Sequence, residues 1–220
     1  MEHGFIFLDE LLPGVRWDAR YATWNNFTGR PVDGYEVNRI MGTQALAIAL
    51  QNVQERASSL GYGLLLWDGY RPKQAVDCFL RWSEQPEDGL TKKRYYPNID
   101  RADMLTKGYV AAESSHSRGS AIDLTLYNSS SNTLVPMGGG FDFMDERSHH
   151  GASGITNTEA QNRRTLRTIM ERSGFESYHC EWWHYVLKSE PYPNSYFDFP
   201  IAKQGRIGDM PEETDFERIA

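Results

Sequence analysis

Residues 120–127 read SAIDLTLY, with Ala121, Asp123, Thr125 and Tyr127 alternating against Ile122, Leu124 and Leu126. A period of two over this length marks a β-strand, because successive side chains of extended backbone leave on opposite faces. Asp123 is the anomaly of its row. Upstream, Thr43 to Leu60 spaces Leu46, Ala49, Leu50, Val53, Ala57 and Leu60 as an amphipathic helix, with Gly61 where a left-handed cap belongs. The apolar run Gly63–Trp67 then predicts a buried strand that turns at Asp68-Gly69-Tyr70-Arg71-Pro72. Pro72 suits the first position of the next helix, whose face carries Ala75, Val76, Phe79, Leu80 and Trp82.

Residues 87–107 are polar and read as a surface excursion, with a short helix after Asp100 that closes at Gly108. Downstream, Thr156 and Glu159 form a capping-box pattern opening a helix that ends at Ser173-Gly174. Two β-rich runs follow, Phe175–Tyr178 and Glu181–Leu187, and beyond Pro200 the chain becomes polar and aperiodic, which reads as a loosely held tail. Strands and helices in this irregular order predict an α+β fold: a single domain with a central antiparallel sheet flanked by helices. The expected boundaries are 1–202 for that domain and 203–220 for a polar C-terminal tail.

Twenty-three Lys and Arg against 30 Asp and Glu leave a net charge of −7, which gives no basic field for nucleic acid. No apolar window approaches a membrane span, and the acidic start MEHGFIFLDELL lacks the features of a secretory leader, so the expectation is a soluble, cytoplasmic protein without membrane partners. Homo-oligomers are compatible with the composition. Two cysteines, Cys78 and Cys180, make no disulfide framework or thiolate zinc site, and both are expected to be buried and inert.

Chemistry concentrates in two places. His116 lies in a turn of small residues, SSHSRGS, just before the strand of Asp123, while Glu181-Trp-Trp-His184 adds a carboxylate and an imidazole. Two histidines and an aspartate are a suitable donor set for zinc, which accepts imidazole nitrogen and carboxylate oxygen and keeps a position open in catalytic sites. Glu181 is then free to act as a base. Geometry raises one objection: Glu181 and His184, three apart, would face opposite ways in a regular strand, so a bulge or a turn is required. Asp68 either orients Arg71 or a ligand histidine, or caps its turn. His149-His150 resembles a metal pair, yet adjacent residues diverge, and a structural role is expected.

The pattern Ser114-x-His116-x-x-Gly119-x-Ala121-x-Asp123, with Glu181-x-x-His184 far downstream, resembles the zinc D-alanyl-D-alanine metallopeptidases, which also include lysostaphin-type endopeptidases and the hedgehog signalling domain. Longer stretches, GYGLLLWDGYRP from Gly61, SSHSRGSAIDLTLY from Ser114, FDFMDERSHH from Phe141 and EWWHYVL from Glu181, are similar to the D-Ala-D-Ala dipeptidases of glycopeptide resistance. That resemblance covers roughly residues 1 to 200. It implies one zinc per chain held by His116, Asp123 and His184 in a cleft, with Glu181 as base and Arg71 near the scissile carbonyl. Ser114 and Ser115 both flank the ligand loop; the resemblance favours Ser114 for the substrate carboxylate and Asp142 for its ammonium. The implied substrate is free D-Ala-D-Ala, with D-Ala-D-lactate spared.

Three rivals are weighed against this. A zincin needs His-Glu-x-x-His, which the chain lacks. A cell-wall carboxypeptidase or endopeptidase of the same fold would call for export or a wall-binding module. A non-catalytic zinc domain has no use for the spare base and cation that Glu181 and Arg71 supply.

Overall fold

A computed structural model describes residues 4–202. The expected tail, 203–220, lies outside the described residues. Among the described residues seven strands and four α-helices follow in order: β1 Phe5–Phe7, β2 Arg16–Trp17, β3 Met41–Thr43, α1 Gln44–Ser59, β4 Tyr62–Asp68, α2 Lys73–Ser83, α3 Lys92–Tyr95, β5 Ala121–Asn128, α4 Asn157–Arg172, β6 Phe175–Ser177 and β7 His184–Leu187. The main sheet runs β2-β4-β5-β7-β6 and is antiparallel except where the two-residue edge strand β2 joins β4 in parallel; β1 and β3 form a separate pair. This is the α+β architecture that the sequence predicts.

Local chemistry explains the elements. Thr43 caps α1 by accepting the Leu46 N–H, and Gly61 takes the positive φ that ends it. Thr156 and Glu159 make the full capping box of α4. Between β4 and β5, Leu64 and Leu66 stand opposite Leu126 and Leu124, an aliphatic row closed by α1, which packs on both β4 and α4. All of Ala121–Leu126 is buried, so both faces of β5 are covered.

Two expectations need correction. The 87–107 excursion is no mere surface loop: Tyr95, Tyr96, Ile99, Arg101 and Met104 are buried, and Tyr96 stands edge-on to Trp82 of α2. Its second helix is a single 3-10 turn, Arg101–Asp103, which the Asp100 side chain does not cap. The chain also does not leave the body at Pro200, since Ile201 is buried and its backbone pairs with Tyr35.

Candidate active site

The register of the main sheet builds the site. Between Leu66 and Asp68 the β4 register slips by one residue, and this bulge at Trp67 brings Asp68 opposite Asp123; on the other side of β5, Asp123 is opposite His184. One row across three strands thus carries Asp68, Asp123 and His184. His116 reaches the same place from the 3-10 turn Ser115–Arg118, which Ser114 caps and Gly119 ends in the left-handed conformation. A side chain at Gly119 would collide with the Phe5 ring, so glycine is required twice over. Glu181 stands in the turn of the β6–β7 hairpin, where its carbonyl accepts the His184 N–H at 3.2 Å. That turn answers the spacing objection: the strand starts at His184, not at Glu181.

His116 Nδ1 lies 2.6 Å from the Gly69 carbonyl, which can only accept, so Nδ1 bears the hydrogen and Nε2 a lone pair. The lone pair faces His184 Nδ1 at 3.0 Å and Asp123 Oδ2 at 3.2 Å, while Asp123 Oδ1 is 2.9 Å from His184 Nδ1. Ser115 Oγ holds the far nitrogen of His184, Nε2, at 3.2 Å. Three basic groups converge in a buried space where one shared proton leaves acceptors opposed, whereas a divalent cation satisfies all of them. Imidazole nitrogen and carboxylate oxygen are the donor set of zinc, so the residues fit that metal. Among the described residues this is the one group of three or more His, Cys, Asp or Glu whose ligand atoms lie within 4.8 Å of one another.

The triad opens into a cleft of about 480 Å³ whose walls include Tyr21, Arg71, Ser114, Asp142, Tyr178 and Glu181. Arg71 donates its Nε–H to Asp68 Oδ2 at 2.9 Å, its Nη2 forms an ion pair with the same oxygen at 2.9 Å, and Nη2 is 3.7 Å from Asp123 Oδ2. Of the three roles open to Asp68, holding Arg71 is the one its hydrogen bond serves; His116 Nδ1 is 3.7 Å from Asp68 Oδ2 and is oriented by the nearer Gly69 carbonyl. Asp142 adopts φ 58°, a left-handed conformation that aspartate tolerates, and accepts the Tyr21 hydroxyl at 2.9 Å.

Burial sets the protonation of these groups. It pushes Glu181 up to about 7, against the pull of His184 and Arg71, and raises the Asp142 carboxyl well above its usual range, with Asp123 adding to the effect. Burial also opposes ionisation of Asp123, but the His116 and His184 rings overcome it and hold that carboxyl well below the usual range. Desolvation similarly disfavours a charged His184, yet the Asp123 carboxylate leaves its pKa raised.

The cleft therefore gathers Arg71, Ser114, His116, Asp123, Asp142, Glu181 and His184, with Asp68 directly behind Arg71. Sequence reasoning missed Tyr21 and Tyr35, which donate to Asp142 and Asp68. No local signal marks either tyrosine, because their partners are 121 and 33 residues away. His149 and His150 stay apart from the site: His149 stands beside His179, and His150 beside Tyr185. Cys180 corrects one expectation, for it is half-buried and lines the cleft, while Cys78 is half-buried too.

The sequence profile described as D-Ala-D-Ala dipeptidase matches residues 1–202. The chain belongs to the D-Ala-D-Ala dipeptidase family. As a member it is a peptidase, and relatives from several bacteria carry the name D-alanyl-D-alanine dipeptidase. The Enterococcus faecalis protein is 71% identical over 202 residues, covering 92% of this chain and 100% of that one. The Streptomyces coelicolor protein is 65% identical, with the same two coverages, 92% and 100%. The Escherichia coli protein is 33% identical over 189 residues, covering 86% of this chain and 87% of that one.

Proposed function

We propose that this protein is a zinc-dependent dipeptidase that hydrolyses free D-Ala-D-Ala and spares D-Ala-D-lactate, removing from the cytoplasm the dipeptide from which glycopeptide-sensitive cell-wall precursors are built. Residues 1–202 make up its catalytic domain. The observation that carries this reading is the convergence of His116 Nε2, Asp123 and His184 Nδ1 beside Glu181 and Arg71, in a chain 71% identical to a named dipeptidase. No described helix is long and apolar enough to cross a membrane, in keeping with a cytoplasmic substrate.

When bound, one zinc ion on His116, Asp123 and His184 supplies Lewis acidity, polarising the scissile carbonyl and acidifying a water molecule to near-neutral pKa. Glu181 takes the proton of the attacking water and later hands it to the leaving amine. Arg71, charged at every working pH, donates to the carbonyl oxygen as it gains negative charge. Its fork on Asp68 fixes the direction of that donation. At one end of the cleft Asp142, held by Tyr21, pairs with the substrate ammonium. Ser114 accepts the His116 backbone N–H and keeps its own hydrogen for the substrate carboxylate.

Discrimination against the ester follows from proton bookkeeping. An acceptor beside the scissile nitrogen is satisfied by an amide N–H, whereas an ester oxygen there opposes it with a lone pair. Hydrolysis of D-Ala-D-Ala, its N-acetyl form and D-Ala-D-lactate by one enzyme preparation tests the whole reading. Turnover of the free dipeptide alone supports it, and comparable rates on all three refute it.

A further inference from the structure

We propose that Tyr35 is a positioning residue for Arg71, acting through Asp68; this rests on the function proposed above. Asp68 is wholly buried and spends one oxygen, Oδ2, on Arg71. Its other oxygen, Oδ1, accepts the Tyr35 hydroxyl at 2.7 Å. With that hydroxyl in place the carboxylate plane cannot turn, because each oxygen is tied to a different group. Without it, Oδ1 is a buried acceptor without its donor, and the carboxylate gains by rotating to share Arg71 between both oxygens. Such a rotation swings the guanidinium away from its present line, 3.7 Å from Asp123 Oδ2 and above the Tyr21 and Phe79 rings at 5.1 and 5.3 Å. A shift of that kind weakens donation to a developing oxyanion more than it weakens binding of the uncharged carbonyl.

The fold holds Tyr35 in place for this task. Ile201 bonds to the residues on both sides of it, donating to the Gly34 carbonyl at 2.8 Å and accepting from Glu36 N–H at 3.0 Å. The same C-terminal strap also takes hold of both active-site loops. Phe197 N–H donates to the Ser117 carbonyl at 2.9 Å, next to His116, and the Phe197 carbonyl accepts Lys73 N–H at 3.1 Å, two residues from Arg71. The Tyr70 hydroxyl donates to the Phe199 carbonyl at 2.9 Å. One segment thus sets the spacing of Tyr35, the Arg71 loop and the His116 loop.

Tyr35→Phe removes one oxygen and keeps the ring. The expected result is unchanged zinc content, a KM within about twofold and a kcat lower by about tenfold, the range for a lost bond to a charged group. In an Arg71→Ala background the same change should cost less than about twofold, since residues acting as one unit are not additive. A second readout does not depend on catalysis: the Arg71 Nε–H signal in a proton–nitrogen NMR spectrum, identified by its loss in Arg71→Lys. It should be sharp in the wild type and shift or broaden in Tyr35→Phe, while the Arg101 and Arg163 signals stay put. Wild-type kcat in Tyr35→Phe, a full tenfold loss repeated in the Arg71→Ala background, or an unmoved Arg71 signal would each overturn the proposal. A wild-type enzyme inert toward D-Ala-D-Ala would defeat the functional reading instead, and the NMR result would still decide whether Tyr35 positions Arg71.

Discussion

His116 Nε2 and His184 Nδ1 face each other at 3.0 Å, with the two Asp123 oxygens at 3.2 and 2.9 Å from them. Imidazole nitrogens that close, one of them fixed as a lone pair by the Gly69 carbonyl, are arranged to share a cation rather than to bond each other.

His116→Ala, Asp123→Ala and His184→Ala are therefore expected to lose zinc or bind it far more weakly. Glu181→Ala should keep about one equivalent, because Glu181 lies in the hairpin turn and outside the ligand group. Metal analysis of the dialysed variants checks this, and an empty Glu181→Ala would make Glu181 a ligand rather than a base.

Catalysis should fail differently in two metal-loaded variants. Glu181→Ala is expected to lose ~10² to 10⁴ in kcat through the missing proton transfer, and Arg71→Ala ~10² to 10³ through the missing oxyanion donor. Steady-state kinetics decides, and an Arg71→Ala enzyme within about threefold of wild type, far from the oxyanion-donor range, would remove Arg71 from the reaction.

The pH dependence has a definite sign. Burial raises Glu181 to about 7, and a base works only when ionised, so kcat/KM should fall as the pH drops through the Glu181 pKa. A cation on the neighbouring triad favours the carboxylate and places that acid limb at or below pH 7 in the loaded enzyme. Stability of the metal-free protein runs the other way. The raised folded-state pKa means that the folded state binds the proton more tightly, so Glu181 costs stability as pH rises from the unfolded value near ~4.3. Metal-free Glu181→Gln should accordingly gain on wild type between about pH 4 and 7 in urea melts. A gain confined to lower pH would contradict the sign.

Ends and leaving group should both matter. N-acetylation of D-Ala-D-Ala removes the ammonium whose charge draws the proton from the buried Asp142, so that carboxyl stays neutral, the ion pair is lost and turnover should be abolished. For the ester, kcat/KM is expected to be at least ~10³ below that of the amide, since a site built around a hydrogen bond rejects an analogue lacking it. Competition kinetics measures both, and a faster ester would end the specificity claim while leaving the peptidase in place.

What could be seen in the sequence depended on regularity. Asp123 was legible because strand alternation exposes a misplaced carboxylate, and α1 and α4 because their caps are local. The bulge at Trp67, which brings Asp68 level with Asp123, leaves no trace in composition. Segment 87–107 looked solvated since its buried residues, Tyr95, Tyr96 and Arg101, are scattered among charges without a period. Ile201 looked like the start of a tail because a single apolar residue after proline carries no pattern; its burial depends on Gly34 and Glu36, far away in the chain.

Zinc-dependent hydrolysis of D-Ala-D-Ala is tested most directly by assaying one sample before chelation, after chelation and during stepwise return of zinc. Activity should vanish with the metal and come back in full at about one equivalent per chain. Undiminished hydrolysis by the metal-free protein, or none after zinc is restored to a folded chain, would contradict the role given to His116, Asp123 and His184.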